Sequence, residues 1–241
     1  MGLREIKREQ TRQLIVDTAW RLFADRGFDA VTVSEIARAA QVAKATVFNY
    51  FPTKEDLFFF RLEGFAARMV EAVAARDAGE TALAAFRRHL LAADGLLDRV
   101  AAGDVDALRR LRTVNRVIGA SPALRARERE IIAACADSLT AQLAAETGTA
   151  TGAATGDVAA RVAANALIGV HRALVEFVRR RVLDDDQVTR LAADVREAAA
   201  RAFTLLEQGL GDQFRTPFGD HSRSVNRAHS TSGQAVGNMT A

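Results

Sequence analysis

Cysteine is nearly absent from this chain. Cys135 stands alone, which excludes an intramolecular disulfide and any multi-cysteine metal site. It lies among Ile131, Ile132 and Leu139, a helical apolar context that reads as core. The four histidines, two of them (His221 and His229) close to the C-terminus, are a poor stock for metal or acid–base chemistry. No nucleophile elbow, His-Glu metal motif or phosphate-loop lysine occurs, so neither an enzyme nor a cofactor is expected. Proline occurs only at Pro52, Pro122 and Pro217, and alternating strand patterns bounded by turn residues are missing. The N-terminal run MGLREIKREQTR has no apolar signal core. No run reads as apolar and uncharged enough to cross a bilayer. The expectation is a cytoplasmic protein with no membrane partner.

What is present is helix-forming sequence. The 241 residues are 49% hydrophobic, enough for a substantial core, and Ala, Leu, Arg and Glu dominate. Net charge is only +3, so any nucleic-acid affinity must come from a local patch. The positive charge is almost all arginine. The three lysines are Lys7, Lys44 and Lys54, and the last two fall within one short stretch, VTVSEIARAAQVAKATVFNYFPTKEDL, from Val31 to Leu57.

That stretch predicts a short helix, a tight turn, a second short helix, then a proline and a new helix start. A first helix from near Gln10 or Thr11 to Arg26 precedes it, with Leu14, Ile15, Ala19, Leu22 and Phe23 on one stripe. Gly27 supplies a left-handed stop. Thr32-Val-Ser-Glu35 is a capping-box pattern opening a helix over Val33–Ala40. Gln41-Val42-Ala43 forms the turn, and Lys44–Phe51 the third helix. Pro52 ends it, and Thr53 caps a fourth. Two short helices at a steep angle are the unit that places a recognition helix in the DNA major groove.

These residues resemble the TetR family of transcriptional regulators. The matching features are Leu22-Phe23 before Arg26-Gly27-Phe28, Thr32-Val33 with Ile36-Ala37 and Ala40, then Val42, Thr46-Val47-Phe48, Tyr50-Phe51-Pro52 and Lys54-Glu55-Asp56-Leu57. The resemblance implies an all-α fold. Residues 1–53 would be an arm and three-helix DNA-binding domain, and 54–208 an effector-binding and dimerisation domain of about six helices. A polar tail at 209–241 reads as disordered. The third helix would enter the major groove with Lys44, Ala45, Thr46 and Asn49 toward DNA, and Val47, Phe48 and Phe51 toward the core or its rim. Lys44 suits a guanine edge or a phosphate, and Asn49 an adenine. Thr46, the Tyr50 hydroxyl and Lys54 suit phosphates, and Thr32 is a further expected DNA contact. Arg4, Lys7, Arg8 and Arg12 in the arm add backbone or minor-groove contacts. Three departures stand out: Gln41 where glycine is common, Ala43 where a serine cap is common, and Phe48 where tyrosine is common.

Beyond Thr53 the pattern predicts helices over roughly 54–76, 80–101, 104–119, 123–146, 157–182 and 185–208. By the same resemblance the last two pair with those of a second copy. Ala163, Ala166, Gly169, Val170 and Ala173 keep the first of them slim, and Leu191, Val195, Phe203 and Leu206 give the second apolar area. The middle helices would enclose a small-molecule effector, with Phe86, His89, Arg112, Asn115, Arg116 and His171 as candidate contacts. Asn115 and His171 lie on apolar stripes, where each is either a satisfied core residue or a ligand contact. The arginines suit an anion, and an acyl-CoA-like ligand is the expectation. The function so implied is a ligand-released repressor on a palindromic double-stranded operator. An activator or an effector-independent DNA-binding regulator is the alternative.

Overall fold

The computed structural model describes residues 2–92, 96–147, 153–184 and 190–209. All regular structure among them is helical: α1 (Leu3–Arg26), α2 (Val33–Ala39), α3 (Lys44–Tyr50), α4 (Lys54–Ala74), α5 (Ala82–Leu90), α6 (Leu96–Ala101), α7 (Val105–Ala120), α8 (Pro122–Thr147), α9 (Ala153–Leu183) and α10 (Leu191–Gln208). Met1–Phe203 packs as one unit. Of the second unit, Thr204–Ala241, only the end of α10 and Gly209 are described, so the expected tail lies outside the described residues.

Four helix starts follow from their side-chain caps. Thr32, Thr53, Thr81 and Asp104 each accept a backbone N–H three residues on, which satisfies an otherwise orphaned donor. α9 begins at Ala153 and α10 at Leu191, against the expected 157 and 185, and two further differences have a local cause. α1 starts at Leu3 rather than near Gln10, because Glu5 accepts from the Gly2 N–H at 2.9 Å and the charged residues that follow are good helix formers. The expected helix over 80–101 is two, α5 and α6. The intervening Asp94-Gly95 is a turn signal, and residues 93–95 are themselves outside the description.

The N-terminal core is aromatic. Phe23, Phe28, Phe51, Phe58 and Phe59 are each at most 3% exposed. Phe58 stacks on Trp20 at 4.6 Å and meets Phe23 and Phe28 at 5.9 Å each. Ile15, Val16, Ala19, Ile36, Ala37 and Val47 fill the same core, and so do Val117, Ile118 and Leu124 from the α7–α8 corner. Helices α1–α3 therefore share their core with α4, α7 and α8.

Behind it, α8 packs on α9 and α4, and α9 also meets α7 and α5. Leu139, Ala164, Leu167 and Ile168 are buried along this seam. One expectation is corrected here. Val158–Leu183 within α9 is long and apolar enough, by length and composition, to cross a membrane, with mean hydropathy 1.3. Its inward face holds core residues, and its outward face mixes Val158, Val162, Gly169 and Ala173 with the exposed polar residues Asn165, Arg172 and Glu176.

Candidate nucleic-acid interface

The turn between α2 and α3 is held by backbone bonds from Gln41 N–H to Arg38 O (3.2 Å) and from Val42 N–H to Ala37 O (3.0 Å). It requires Gln41 at φ 56°, the left-handed region glycine favours. Glu35 locks the start of α2. Its carboxylate accepts from the Thr32 N–H and hydroxyl, both at 2.8 Å, and pairs with Arg26 at 2.8 Å. The Thr32 backbone bond, the Thr32 hydroxyl and Arg26, in that order, hold its pKa down at about 2. Thr32 is thus committed to the cap rather than free to face a phosphate.

α3 starts at Ala43 without a side-chain cap. Val47 at 1% exposure and Phe51 at 3% turn it about its axis. Lys44, Ala45, Phe48 and Asn49 are left exposed, with Thr46 and Tyr50 half-buried at the flanks. Phe48, expected at the core or its rim, is instead 43% exposed. A seven-residue helix has one inward stripe, and Val47 with Phe51 fills it.

On α1, Arg4, Lys7 and Arg8 are exposed and share a helical face by their i, i+3, i+4 spacing. They belong to a helix rather than an extended arm. The Arg8 guanidinium lies 5.9 Å from the Tyr50 ring centre, and that of Arg12 lies 4.6 Å from the ring of Phe60. α1 thereby sets Arg8 beside the C-terminal end of α3 and Arg12 against α4.

Lys54 differs from its expected role. Its ammonium donates to Phe28 O and Val31 O, each at 2.9 Å, and sits 4.1 Å from the Phe28 ring centre. It ties the α1–α2 connection to the start of α4. The neighbouring Asp56 caps α4 through the Thr53 N–H and accepts from Arg127 of α8 at 2.8 Å.

Residues 15–59 match the family described as bacterial regulatory proteins, tetR family. The N-terminal domain belongs to the TetR family. The chain is 31% identical over 107 residues to the HTH-type transcriptional regulator TcmR of Streptomyces glaucescens, a match covering 44% of this chain and 46% of that protein. It is 41% identical over 71 residues to the HTH-type transcriptional regulator BetI of Rhizobium meliloti (strain 1021), covering 29% of this chain and 35% of that one. The chain therefore spans less than half the length of these relatives, which are transcriptional regulators and not enzymes. Native NalD, the secondary repressor of the MexAB-OprM multidrug efflux pump in Pseudomonas aeruginosa, superimposes over 81% of this chain and 96% of its own. The sequence identity there is 22% and the TM-score 0.49.

Behind the TetR-family domain, an open cleft of about 270 Å³ runs between α4 and α8. Ala66, Val70, Ile131 and Cys135 give it apolar walls, with Arg127 and Ser138 also on its lining. None of the six expected effector contacts lines it. Phe86 is fully buried and meets Phe203 edge-on at 6.4 Å. Asn115 is a satisfied core residue: it donates to Leu111 O at 2.8 Å and accepts from Arg179 at 3.3 Å. Arg179 also pairs with Glu128 at 2.6 Å, so α7, α8 and α9 meet at one polar knot. Arg116 is exposed and reaches Ala24 O of α1 at 3.4 Å. His171 is buried, and burial pushes its pKa down to about 4. His89 is half-buried and its pKa is lowered by burial, then by Arg68 and Arg88; Arg112 is half-buried. Sequence reasoning missed Arg127 and Arg179, whose cross-helix partners Asp56 and Glu128 lie 71 and 51 residues away and leave no local pattern. Among the described residues, no group of three or more His, Cys, Asp or Glu could hold a metal ion.

Leu191, Val195 and Phe203 of α10, expected to face a second copy, are buried within this chain. α10 spends that stripe on its own core.

Proposed function

We propose that the chain is a TetR-type transcriptional repressor that grips a palindromic operator as a homodimer and leaves it when a small molecule binds. The observation that carries this reading is the outward face of α3, where Lys44, Ala45 and Asn49 stand exposed over a buried Val47 and Phe51. Lys44 contacts a guanine edge or a phosphate, and Asn49 pairs with adenine in the major groove. Thr46 and the Tyr50 hydroxyl, with Arg4, Lys7 and Arg8 from α1, hold phosphates and fix register.

One such helix reads few base pairs, and a twofold dimer doubles the site. The outward stripe of α9 supports that assembly. Val158, Val162, Ala166, Gly169 and Ala173 follow helical spacing and are small enough for close helix crossing. A DNA partner implies a cytoplasmic location.

The α4–α8 cleft supports an effector site. Arg127 lies on its lining and holds Asp56, the residue that caps α4 beside α3. An effector that draws Arg127 toward itself loosens the start of α4 and changes the angle of α3. The coupling is reciprocal, so operator DNA weakens effector binding by the same factor.

Selection of bound sequences from a random duplex library, followed by fluorescence anisotropy, tests the DNA function: a palindromic sequence should emerge. A thermal-shift panel that includes acyl-CoAs tests the effector. A ligand that raises the melting temperature and releases the selected duplex supports release, and a ligand that tightens binding to the duplex contradicts it.

A further inference from the structure

Phe48 is the one exposed aromatic residue among the side chains described, and it stands in the middle of the outward face of α3. The phenylalanines of the nearby core are all but sealed from water: Phe23, Phe28, Phe51, Phe58 and Phe59 show 3% exposure or less. Phe48 cannot join them, because Val47 and Phe51 already fix the inward side of a seven-residue helix. Its neighbours one turn back are Lys44 and Ala45, and Asn49 follows it. The Lys44 ammonium lies 5.8 Å from the Phe48 ring centre.

A phenyl ring has no hydrogen-bond donor or acceptor. It can neither hold a phosphate nor read the polar edge of a base. The major groove offers one apolar handle, the C5-methyl group of thymine. We propose that Phe48 is a specificity-determining residue that packs on a thymine methyl in each half-site, one helical turn from the position that Lys44 contacts. The inference rests on the DNA-reading function proposed above. The ring covers the methyl and one side of the Lys44 stem, so the ammonium is steered to the neighbouring guanine or phosphate. Ala45 leaves room for the ring to reach the base.

The test starts from the duplex selected from a random library by the full chain. Each thymine in the half-site is replaced in turn by deoxyuridine, which removes only the methyl group. Binding is then measured for the native chain, Phe48→Ala and Phe48→Leu. One thymine should stand out: its replacement weakens the native chain about fourfold per methyl, the value of one buried methyl group. Phe48→Ala should bind the thymine and uracil duplexes equally, and Phe48→Leu should keep part of the preference. Thermal melts of both variants should match the native chain, since the side chain is exposed. Indifference of the native chain to every uracil replacement, or an undiminished methyl effect in Phe48→Ala, overturns the proposal and leaves the DNA-binding function intact. Failure to select any sequence overturns that function, and this inference with it.

Discussion

A lysine with two carbonyls and a phenyl ring around its ammonium has little left to offer a phosphate. Lys54→Met leaves Phe28 O and Val31 O without their donor, so it should destabilise the fold by about 2 kcal/mol, the scale of a charge-assisted hydrogen bond. A urea melt reads this. The same variant should bind DNA with an unchanged salt slope when it is folded, whereas removal of a phosphate-holding charge flattens the slope. Gln41 sits at φ 56°, where a side chain costs roughly 1–2 kcal/mol. Gln41→Gly relieves that strain but adds freedom to the unfolded chain. The balance should be a gain of about 0.5 kcal/mol in the same melt. The strained turn is legible in the sequence, because Gln41 falls where the turn needs a left-handed residue. The duty of Lys54 is not, because its partners are backbone carbonyls 23 and 26 residues earlier, which any side chains can supply. The facing of Phe48 is hidden because Val-Phe-Asn-Tyr-Phe offers four apolar positions, and so short a helix can bury only one stripe of them.

Among the elements, α3 and α9 carry opposite kinds of proposed interface. Lys44→Ala on α3 should flatten the slope of log affinity against log salt by about 0.9 for each phosphate that Lys44 neutralises. Asn49→Ala should cost roughly 1–3 kcal/mol on the selected duplex and much less on scrambled DNA; equal weakening on both would remove it as a reader. On α9, a Cβ added at Gly169 meets nothing within 4 Å inside the chain, so Gly169→Leu should fold normally. It should nevertheless yield monomers by analytical ultracentrifugation, because the bulk falls where the proposed dimer would cross two copies of α9. Helix positions are readable wherever a cap marks them, as Thr32 and Thr53 do. The α5–α6 break escapes notice because Asp94-Gly95 is a two-residue signal inside an alanine-rich run. Of the small residues that the sequence offers on α9, Ala163, Gly169 and Ala173 are exposed and Ala166 is half-buried, whereas Val170 is buried in the chain's own core. The residues of α10 are not separable by facing, since Leu191, Val195 and Phe203 would look the same against either partner.

For the whole molecule, the shared core is the main departure from a modular reading. The aromatic cluster of α1–α3 is completed by Leu57, Phe58 and Phe59 of α4 and by Val117, Ile118 and Leu124 of the α7–α8 corner. Polar ties reinforce it: Arg116 to Ala24 O, Ser121 to Asp29 at 2.8 Å and Arg127 to Asp56. A fragment of residues 1–53 should therefore lack a cooperative melt by circular dichroism, although its sequence is a complete helix-turn-helix. Nothing in that stretch announces the dependence, because the missing partners come from far along the chain. The buried His171 adds a pH signature. Its folded pKa of about 4 lies below the ordinary 6.5, so the unfolded chain takes up a proton first. Stability should be constant above pH 6.5 and fall as the pH drops toward 4, by about 3 kcal/mol at most. His171→Gln should lose that part of the slope.

The outward face of α3 as a reader of a specific DNA sequence is the centre of this account. Fluorescence anisotropy of the full chain on its selected duplex and on a scrambled duplex, at several salt concentrations, tests it most directly. A clear preference for the selected duplex is expected, with log affinity falling linearly against log salt on both DNAs. Equal affinity for the two duplexes, or no binding to either at low salt, would contradict it.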